Sequence, residues 1–220
     1  MRRKFAFYLF LHLSAYKGKE VHKMEKIVLF DGTDLSGFVR RYGGEPTWKL
    51  EDGYMTVVEG NIVSKETFGD AHIHLEWREP MIDPEKYGQA RGNSGVFIHG
   101  CYELQVLDSF DVEEGRPHDR DCGSIYEMYK PLQNACRPMM EWQSYDIYFR
   151  APRFDEDGNM TDCASATIFQ NGLLIQNNIP LHRTTPGGLN SSNPIAAEGP
   201  LELQDHGDPV SFRNIYIEKY

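Results

Sequence analysis

The 220-residue chain reads as an all-β protein, a sandwich of two stacked antiparallel sheets. Three observations predict this. Ala71 to Arg78 alternates without a break, with Ala71, Ile73, Leu75 and Trp77 apolar and His72, His74, Glu76 and Arg78 polar. A period of two is what a strand with one buried face requires, because successive side chains leave opposite faces of the pleat. Asn171-Gly172 stands between two such runs, and Asn-Gly is the dipeptide best suited to a two-residue hairpin turn. Helical periodicity is almost absent, and the short apolar runs are punctuated by Gly, Asp, Asn and Pro.

The elements follow in order. Residues 1–25 stand apart as an extension or signal-like segment, and residues 26–220 form a single domain, patterning beginning at Ile27-Val28-Leu29-Phe30. Met1-Arg2-Arg3-Lys4, the apolar run Phe5 to Ala15 and small Ser14-Ala15 resemble a secretion signal, although Tyr8 and His12 dilute the run and Leu13 is bulky for a cleavage site. The reading is periplasmic or secreted if residues 1–15 act as a signal, and otherwise cytoplasmic, with Met24 as the competing start. After the strand at 71–78 come Ser94 to His99 and Tyr102 to Asp108, joined at Gly100 by a bulge or a tight corner. Trp142 to Arg150, Ser165 to Gln170, Leu173 to Gln176, Leu201 to His206 and Ser211 to Glu218 complete about a dozen strands. Residues 180–200, rich in Pro, Gly, Ser and Asn, read as a long loop able to border a site.

Composition narrows the function classes. The net charge of −10 disfavours nucleic acid as a partner, and no run approaches the ~20 apolar residues of a membrane span. Cys101, Cys122, Cys136 and Cys163 form no Cys-x-x-Cys pair, so a zinc ribbon is not expected. An exported chain could join Cys122 to Cys136; a cytosolic one would keep four thiols.

Four stretches carry candidate chemistry. His74, Glu76 and Arg78 share a strand face, and His72, His74 and Glu76 could ligate a metal; the bland reading is a solvated outer face. Arg91-Gly92-Asn93-Ser94-Gly95 lets the backbone approach a ligand or merely a neighbouring strand. In Tyr102 to Asp108 the residues Tyr102, Leu104 and Val106 face the core, which sets Glu103 beside Gln105 on the other side. A carboxyl beside an amide suits sugars: one moves a proton while the other fixes a hydroxyl. Asp108 has the opposite parity and joins that face only if the strand twists or ends at Leu107. Finally, Leu201 and Leu203 face the core while Glu202, Gln204 and His206 face away, and an imidazole at a strand end can exchange protons near neutral pH.

Taken in order, Leu29-Phe30-Asp31-Gly32, Gly92-Asn93-Ser94-Gly95-Val96, Tyr102 to Ser109, Gly123-Ser124-Ile125-Tyr126, Glu141 to Asp146, Asn171-Gly172, Gly199 to Gly207 and Phe212-Arg213-Asn214-Ile215 resemble the 3-keto-disaccharide hydrolase family. The resemblance covers about residues 27–220. It implies a concanavalin A-like, jelly-roll sandwich related in shape to β-glucanases, acting on sugars already oxidised at C3. A C3 ketone acidifies the C2 hydrogen, so a base removes it, the C1 substituent leaves, and water adds to the enone. As a hypothesis for such chemistry, Glu103 or His206 is the base and acid, with Arg213 or a metal steadying the oxyanion. Gln105, Asn93, Arg91, Glu76, His74, Asp108, Gln204 and Trp142 complete the substrate-binding set. The expected partner is a sugar or oxidised glycoside; no cofactor is expected, and a divalent metal is left open. An ordinary retaining glycosidase fits less well, because Gln105 stands where a second carboxylate would be needed. The alternative from another class is a non-catalytic carbohydrate-binding module using Trp48, Trp77 or Trp142 as an aromatic platform, Trp142 being the best placed.

Overall fold

The computed structural model describes residues 24–112 and 117–220; the expectation for residues 1–15 lies outside them. Among the described residues fifteen strands run from Glu25 to Lys219. They are β1 (Glu25–Phe30), β2 (Phe38–Arg40), β3 (Lys49–Glu51), β4 (Tyr54–Thr56), β5 (Ile62–Phe68), β6 (Ala71–Arg78), β7 (Ser94–Ile98) and β8 (Tyr102–Val106). Then follow β9 (Gln143–Arg150), β10 (Arg153–Phe154), β11 (Met160–Asp162), β12 (Ala164–Gln170), β13 (Leu173–Leu181), β14 (Gly199–Leu203) and β15 (Ser211–Lys219).

One sheet has eight strands in the order β13-β12-β9-β6-β15-β4-β3, with β1 also paired to β15. The other has five in the order β2-β5-β14-β7-β8, and β10 and β11 form a small ribbon. The pairings are antiparallel throughout. Between the sheets lies the core that the alternation predicts. Ile73, Leu75 and Trp77 of β6 and Tyr145 and Ile147 of β9 meet Leu104 and Val106 of β8 and Leu201 and Leu203 of β14, all fully buried. Trp77 stacks on Tyr145 with ring centroids 4.0 Å apart. Burying such side chains is the main favourable term in folding, about 1.5–3 kcal/mol each. Among the described residues no helix is long and apolar enough to cross a membrane.

Several boundaries differ from the sequence reading for physical reasons. The Gly100 junction is a tight corner: Ile98 pairs with Tyr102, and His99 and Gly100 both take positive φ, 55° and 66°. Asn171 and Gly172 also take positive φ, as the hairpin requires. β13 runs on to Leu181 through Pro180, where a loop was expected. It lies at the sheet edge, where the missing amide proton of proline costs least. Trp142 precedes β9 and is not part of it.

Three features position the pocket-bearing face. Residues 122–126 extend the five-stranded sheet beyond β8: Gln105 N donates to Ser124 O at 3.0 Å, Gly123 N to Gln105 O at 3.0 Å, and Tyr126 N to Glu103 O at 3.0 Å. The loop after β13 folds back onto the Gly100 corner, where Thr185 N donates to Cys101 O and Asn190 N to Gly100 O. From the opposite sheet, the Tyr145 hydroxyl crosses the core to donate to Gln105 O at 2.6 Å. The four cysteines are free thiols, and Cys122 and Cys136 share the Gln170 Nε2 donor at 3.5 Å each.

Candidate active site

The outward face of the five-stranded sheet is covered by the loop after β13 and by residues 122–126, and between them a hollow of about 190 Å³ remains. Asn93, Glu103, Gln105, Gln204 and His206 line it together with Gln89, Tyr126, Pro186 and Gly187. Strand parity accounts for the convergence. Glu103 and Gln105 of β8 lie beside Gly95 of β7, with Gln105 paired to Gly95, and β14 pairs with the other edge of β7. Gln204 and His206 follow directly from β14, whose last residue is Leu203.

Glu103 is the chemical centre of this hollow. It is only 4% exposed, and its backbone N–H donates to Thr185 Oγ1 at 2.8 Å. Burial is the main reason its carboxyl is pushed up to about 8; the Gln204 amide opposes the shift, and the charges of Glu202 and Glu127 add to it. At neutral pH Glu103 is therefore predominantly a neutral acid. Its place depends on Gly95, because a Cβ there would stand 2.5 Å from Glu103 Oε1 and 3.2 Å from Gln204 Oε1. The sequence reading took the glycine as permissive towards a ligand or strand, and here the close approach is that of the carboxyl.

Around Glu103 sit polar groups held in fixed directions. Gln105 Nε2 donates to Gln89 Oε1 at 2.9 Å, Asn93 Nδ2 donates to Gln89 O at 2.9 Å, and Asn93 N donates to Asp208 Oδ2 at 3.0 Å. Gln105 Oε1 and Gln204 Oε1 are buried with no hydrogen-bond partner. Orphaned buried acceptors are costly, so two of them lining one hollow suit a ligand rich in hydroxyl donors. His206 stands exposed beyond the strand end, at the rim.

Glu202 shares the outward parity of Gln204 and is fully buried, yet its carboxylate is already engaged. Asn61 Nδ2 donates to Oε1 at 2.7 Å, Leu189 N donates to Oε2 at 2.6 Å, and Arg41 Nη1 lies 3.4 Å from Oε1. It ties the loop down, leaving Glu103 as the one carboxyl among the described residues that lines the hollow.

The remaining sequence candidates lie elsewhere. His74, Glu76 and Arg213 are on the outward face of the other sheet, where Arg213 Nε donates to Glu76 Oε2 at 2.7 Å and His74 Nδ1 lies 2.8 Å from Asp146 Oδ1. An arginine so placed is on the wrong side of the sandwich to steady an oxyanion near Glu103. Trp142 is on that side too, with the Arg213 and Arg78 guanidinium groups 4.1 and 4.8 Å from its ring, so its faces are taken up by cations and it does not offer a free platform. Trp48 and Trp77 are buried in the core. Arg91 and Asp108 form an ion pair beside a neighbouring depression, because β8 ends at Val106 and Asp108 turns away from Glu103.

As for a metal, His72 is held by Asp146 through Nε2 and by Glu218 through Nδ1, each at 3.0 Å, and these carboxylates raise its pKa. With both ring nitrogens engaged by carboxylates, His72 has no nitrogen free to act as a ligand. Among the described residues no group of three His, Cys, Asp or Glu side chains is arranged to hold a metal ion.

A hollow of about 330 Å³ lies away from this site, between β1 and Lys65-Glu66. Its Asp31 and Asp34 carboxylates accept from Thr33 and Ser36 in local turns. Size alone does not make that hollow the chemical one: the Thr33 and Ser36 hydrogen bonds hold the Asp31 and Asp34 carboxyls below their ordinary values, and among the described residues it has no orphaned buried acceptor.

With the geometry fixed, comparison with known proteins is decisive. The model of the 3-keto-alpha-glucoside-1,2-lyase-like domain matches residues 25–218. The chain belongs to this family. It is 24% identical to a 3-keto-disaccharide hydrolase of Bacteroides thetaiotaomicron, an alignment covering 87% of this chain and 77% of that one. A Parabacteroides distasonis protein of known structure, named as a candidate glycosyl hydrolase, is 38% identical, with a TM-score of 0.76 over 89% of this chain and 84% of that one. Another from the same organism, similarly named, shares the fold at 21% identity and a TM-score of 0.62, covering 89% and 94%.

Within the family frame, sequence reasoning missed four pocket residues. Tyr126 lies in Gly123-Ser124-Ile125-Tyr126, a segment that carries the resemblance and to which no role had been attached. Pro186 and Gly187 belong to the loop expected to border a site. Gln89 sits in a three-residue 3-10 turn, Gly88–Ala90, and has no sequence signal of its own.

Proposed function

We propose that the chain cleaves glycosides of 3-keto sugars by proton abstraction at C2, elimination at C1 and hydration. The observation that carries this reading is the single, neutral Glu103 carboxyl among sugar-type hydrogen-bonding groups. An ordinary retaining glycosidase requires two carboxyl groups about 5 Å apart. Here the second buried carboxylate of the face, Glu202, is occupied by Asn61 and Leu189. The family membership and the names of its relatives point to carbohydrate cleavage, and the lone acid points to chemistry that the substrate's own ketone assists.

In this mechanism the sugar ring occupies the hollow with hydroxyls donating to Gln105 Oε1 and Gln204 Oε1. His206, at the rim, takes the proton from C2 as the electrons move into the C3 ketone. The Tyr126 hydroxyl, on the pocket wall, takes over the oxyanion-holding role first expected of Arg213. The C1–O bond then breaks as the C2–C1 double bond forms, and Glu103 gives its proton to the departing oxygen. Glu103 is now a buried carboxylate whose raised pKa makes it a competent base. It removes a proton from water as the oxygen adds at C1, while His206 returns its proton to C2, restoring both groups. A pKa near 8 suits this alternation, because an acid–base group works best with its pKa near the working pH.

The test is turnover of a 3-keto-glucoside followed in deuterated water. Deuterium at C2 of recovered product, with no cleavage of the unoxidised glucoside, is the expected result. Cleavage of the unoxidised glucoside at equal rate and without exchange at C2 would overturn the proposal.

A further inference from the structure

A hollow of about 330 Å³ lies next to the Glu103 hollow, lined by Arg40, Arg41, Tyr42, Gly43, Gly60 and Asn61. The two share a wall. Arg41 Nη1 donates to the carbonyl of Gly187 at 2.7 Å, and Gly187 also lines the Glu103 hollow. Gly60 N donates to Asp205 Oδ2 at 2.7 Å and Asp205 N donates to Asn61 Oδ1 at 3.0 Å, which joins this hollow to the segment carrying Gln204 and His206.

Tyr42 is the unusual feature. It is 91% exposed, the most exposed large hydrophobic residue of the described chain. The turn that carries it is nonetheless well tied: Arg40 N donates to Gly44 O at 2.9 Å, Gly43 N to Arg40 O at 2.8 Å, and Arg41 N to Asn61 O at 3.0 Å. Gly43 and Gly44 both have φ of +94° and nothing within 4 Å of where a Cβ would stand, so the space beside the ring is open. The Arg41 guanidinium lies 5.5 Å from the Tyr42 ring, and its Nε is buried without a partner. A held, naked aromatic ring beside an unsatisfied guanidinium donor matches the two sides of a sugar ring, an apolar C–H face and a rim of hydroxyls.

We propose that this second hollow is the subsite for the departing sugar of a disaccharide, with the ring stacked on Tyr42 and its hydroxyls accepting from Arg41 and Arg40. The inference rests on the reading that the Glu103 hollow holds the first sugar. It makes the protein selective for disaccharides over glycosides with small leaving groups.

The experiment reads binding, so it stays separate from the chemistry. An unoxidised α-linked glucose disaccharide and methyl α-glucoside are titrated calorimetrically into the wild type, Tyr42→Ala and Tyr42→Phe. The expected result is a wild-type preference for the disaccharide of about fivefold, the scale of one aromatic stacking contact. That preference is lost in Tyr42→Ala and kept in Tyr42→Phe. A wild type with no preference, or a preference that survives in Tyr42→Ala, overturns the subsite. Failure to turn over any 3-keto substrate while the preference behaves as expected removes the proposed reaction and leaves the subsite standing. The exposure of Tyr42 makes misfolding of its variants a remote concern, and far-ultraviolet circular dichroism checks it.

Discussion

Replacing Glu103 by Gln should make the protein more stable while removing its activity. The buried carboxyl has a folded pKa of about 8 against an unfolded value of 4.5. Between these values the unfolded chain has lost a proton that the folded chain keeps, so stability falls as pH rises through the window. The slope is about 1.4 kcal/mol per pH unit, so by pH 7 the cost reaches at most about 3.5 kcal/mol. Glutamine has nearly the same shape and cannot ionise, so it escapes this cost. Urea unfolding of wild type and Glu103→Gln at pH 4.5, 6, 7 and 8.5 measures the difference directly. The variant's advantage should be small at pH 4.5, grow through pH 7 and level off above 8, while turnover drops by 10²-fold or more. An advantage that does not change with pH, or a variant that becomes relatively weaker as pH rises, would refute the argument that burial holds this acid neutral.

Other outcomes follow from the same geometry. His206→Ala should lower turnover of a 3-keto-glucoside by 10²-fold or more with little effect on unfolding, since the side chain is exposed, and steady-state kinetics would show it. Gly95→Ala should reduce turnover at least tenfold and lower the melting temperature, because the added methyl would stand 2.5 Å from Oε1 and 3.1 Å from Cγ of the buried Glu103. The buried imidazole of His99 is pushed down to about 4, so stability is complete above the unfolded value of 6.5 and declines as pH falls towards 4. By NMR its ring should stay neutral at pH 5; a midpoint near 6.5 would contradict the burial argument. Trp142→Ala should leave turnover within a few-fold of wild type, and a 10²-fold loss would show that the cation-flanked face of the larger sheet takes part in catalysis.

The sandwich was legible because alternation reports burial directly, and β6 appears in the structure with the limits its pattern suggests, Ala71–Arg78. The three-residue strands β2, β3 and β4 were not, since three residues cannot establish a period of two. Parity also grouped part of the candidate set: Glu103, Gln105, Gln204 and His206 line one hollow. What parity cannot give is which sheet a polar face belongs to. His74 and Glu76 have flawless outward parity and face the opposite side of the molecule, because a sandwich has two outer faces and a strand's own pattern is the same on either; Arg213 joins them through a register shift at Asn214. Asp108 lies in a neighbouring depression for a different reason, as its direction depended on where β8 stops. Gln89 and Tyr126 reach the pocket from irregular segments, for which no periodicity exists to be read.

The bond from the Tyr145 hydroxyl to Gln105 O joins the two sheets through the middle of the core. Mechanically, it bolts the pocket floor to the far half of the molecule, so the floor cannot shift without dragging β9 with it. β8, which carries Gln105, is clamped from its outer edge by Gly123 and Ser124. Adaptation to differently shaped substrates is therefore left to the walls, the segment around Pro186-Gly187 and the Tyr42 turn. Divergence in substrate preference among relatives should accumulate there, as changes in wall length and lining over an unchanging acid.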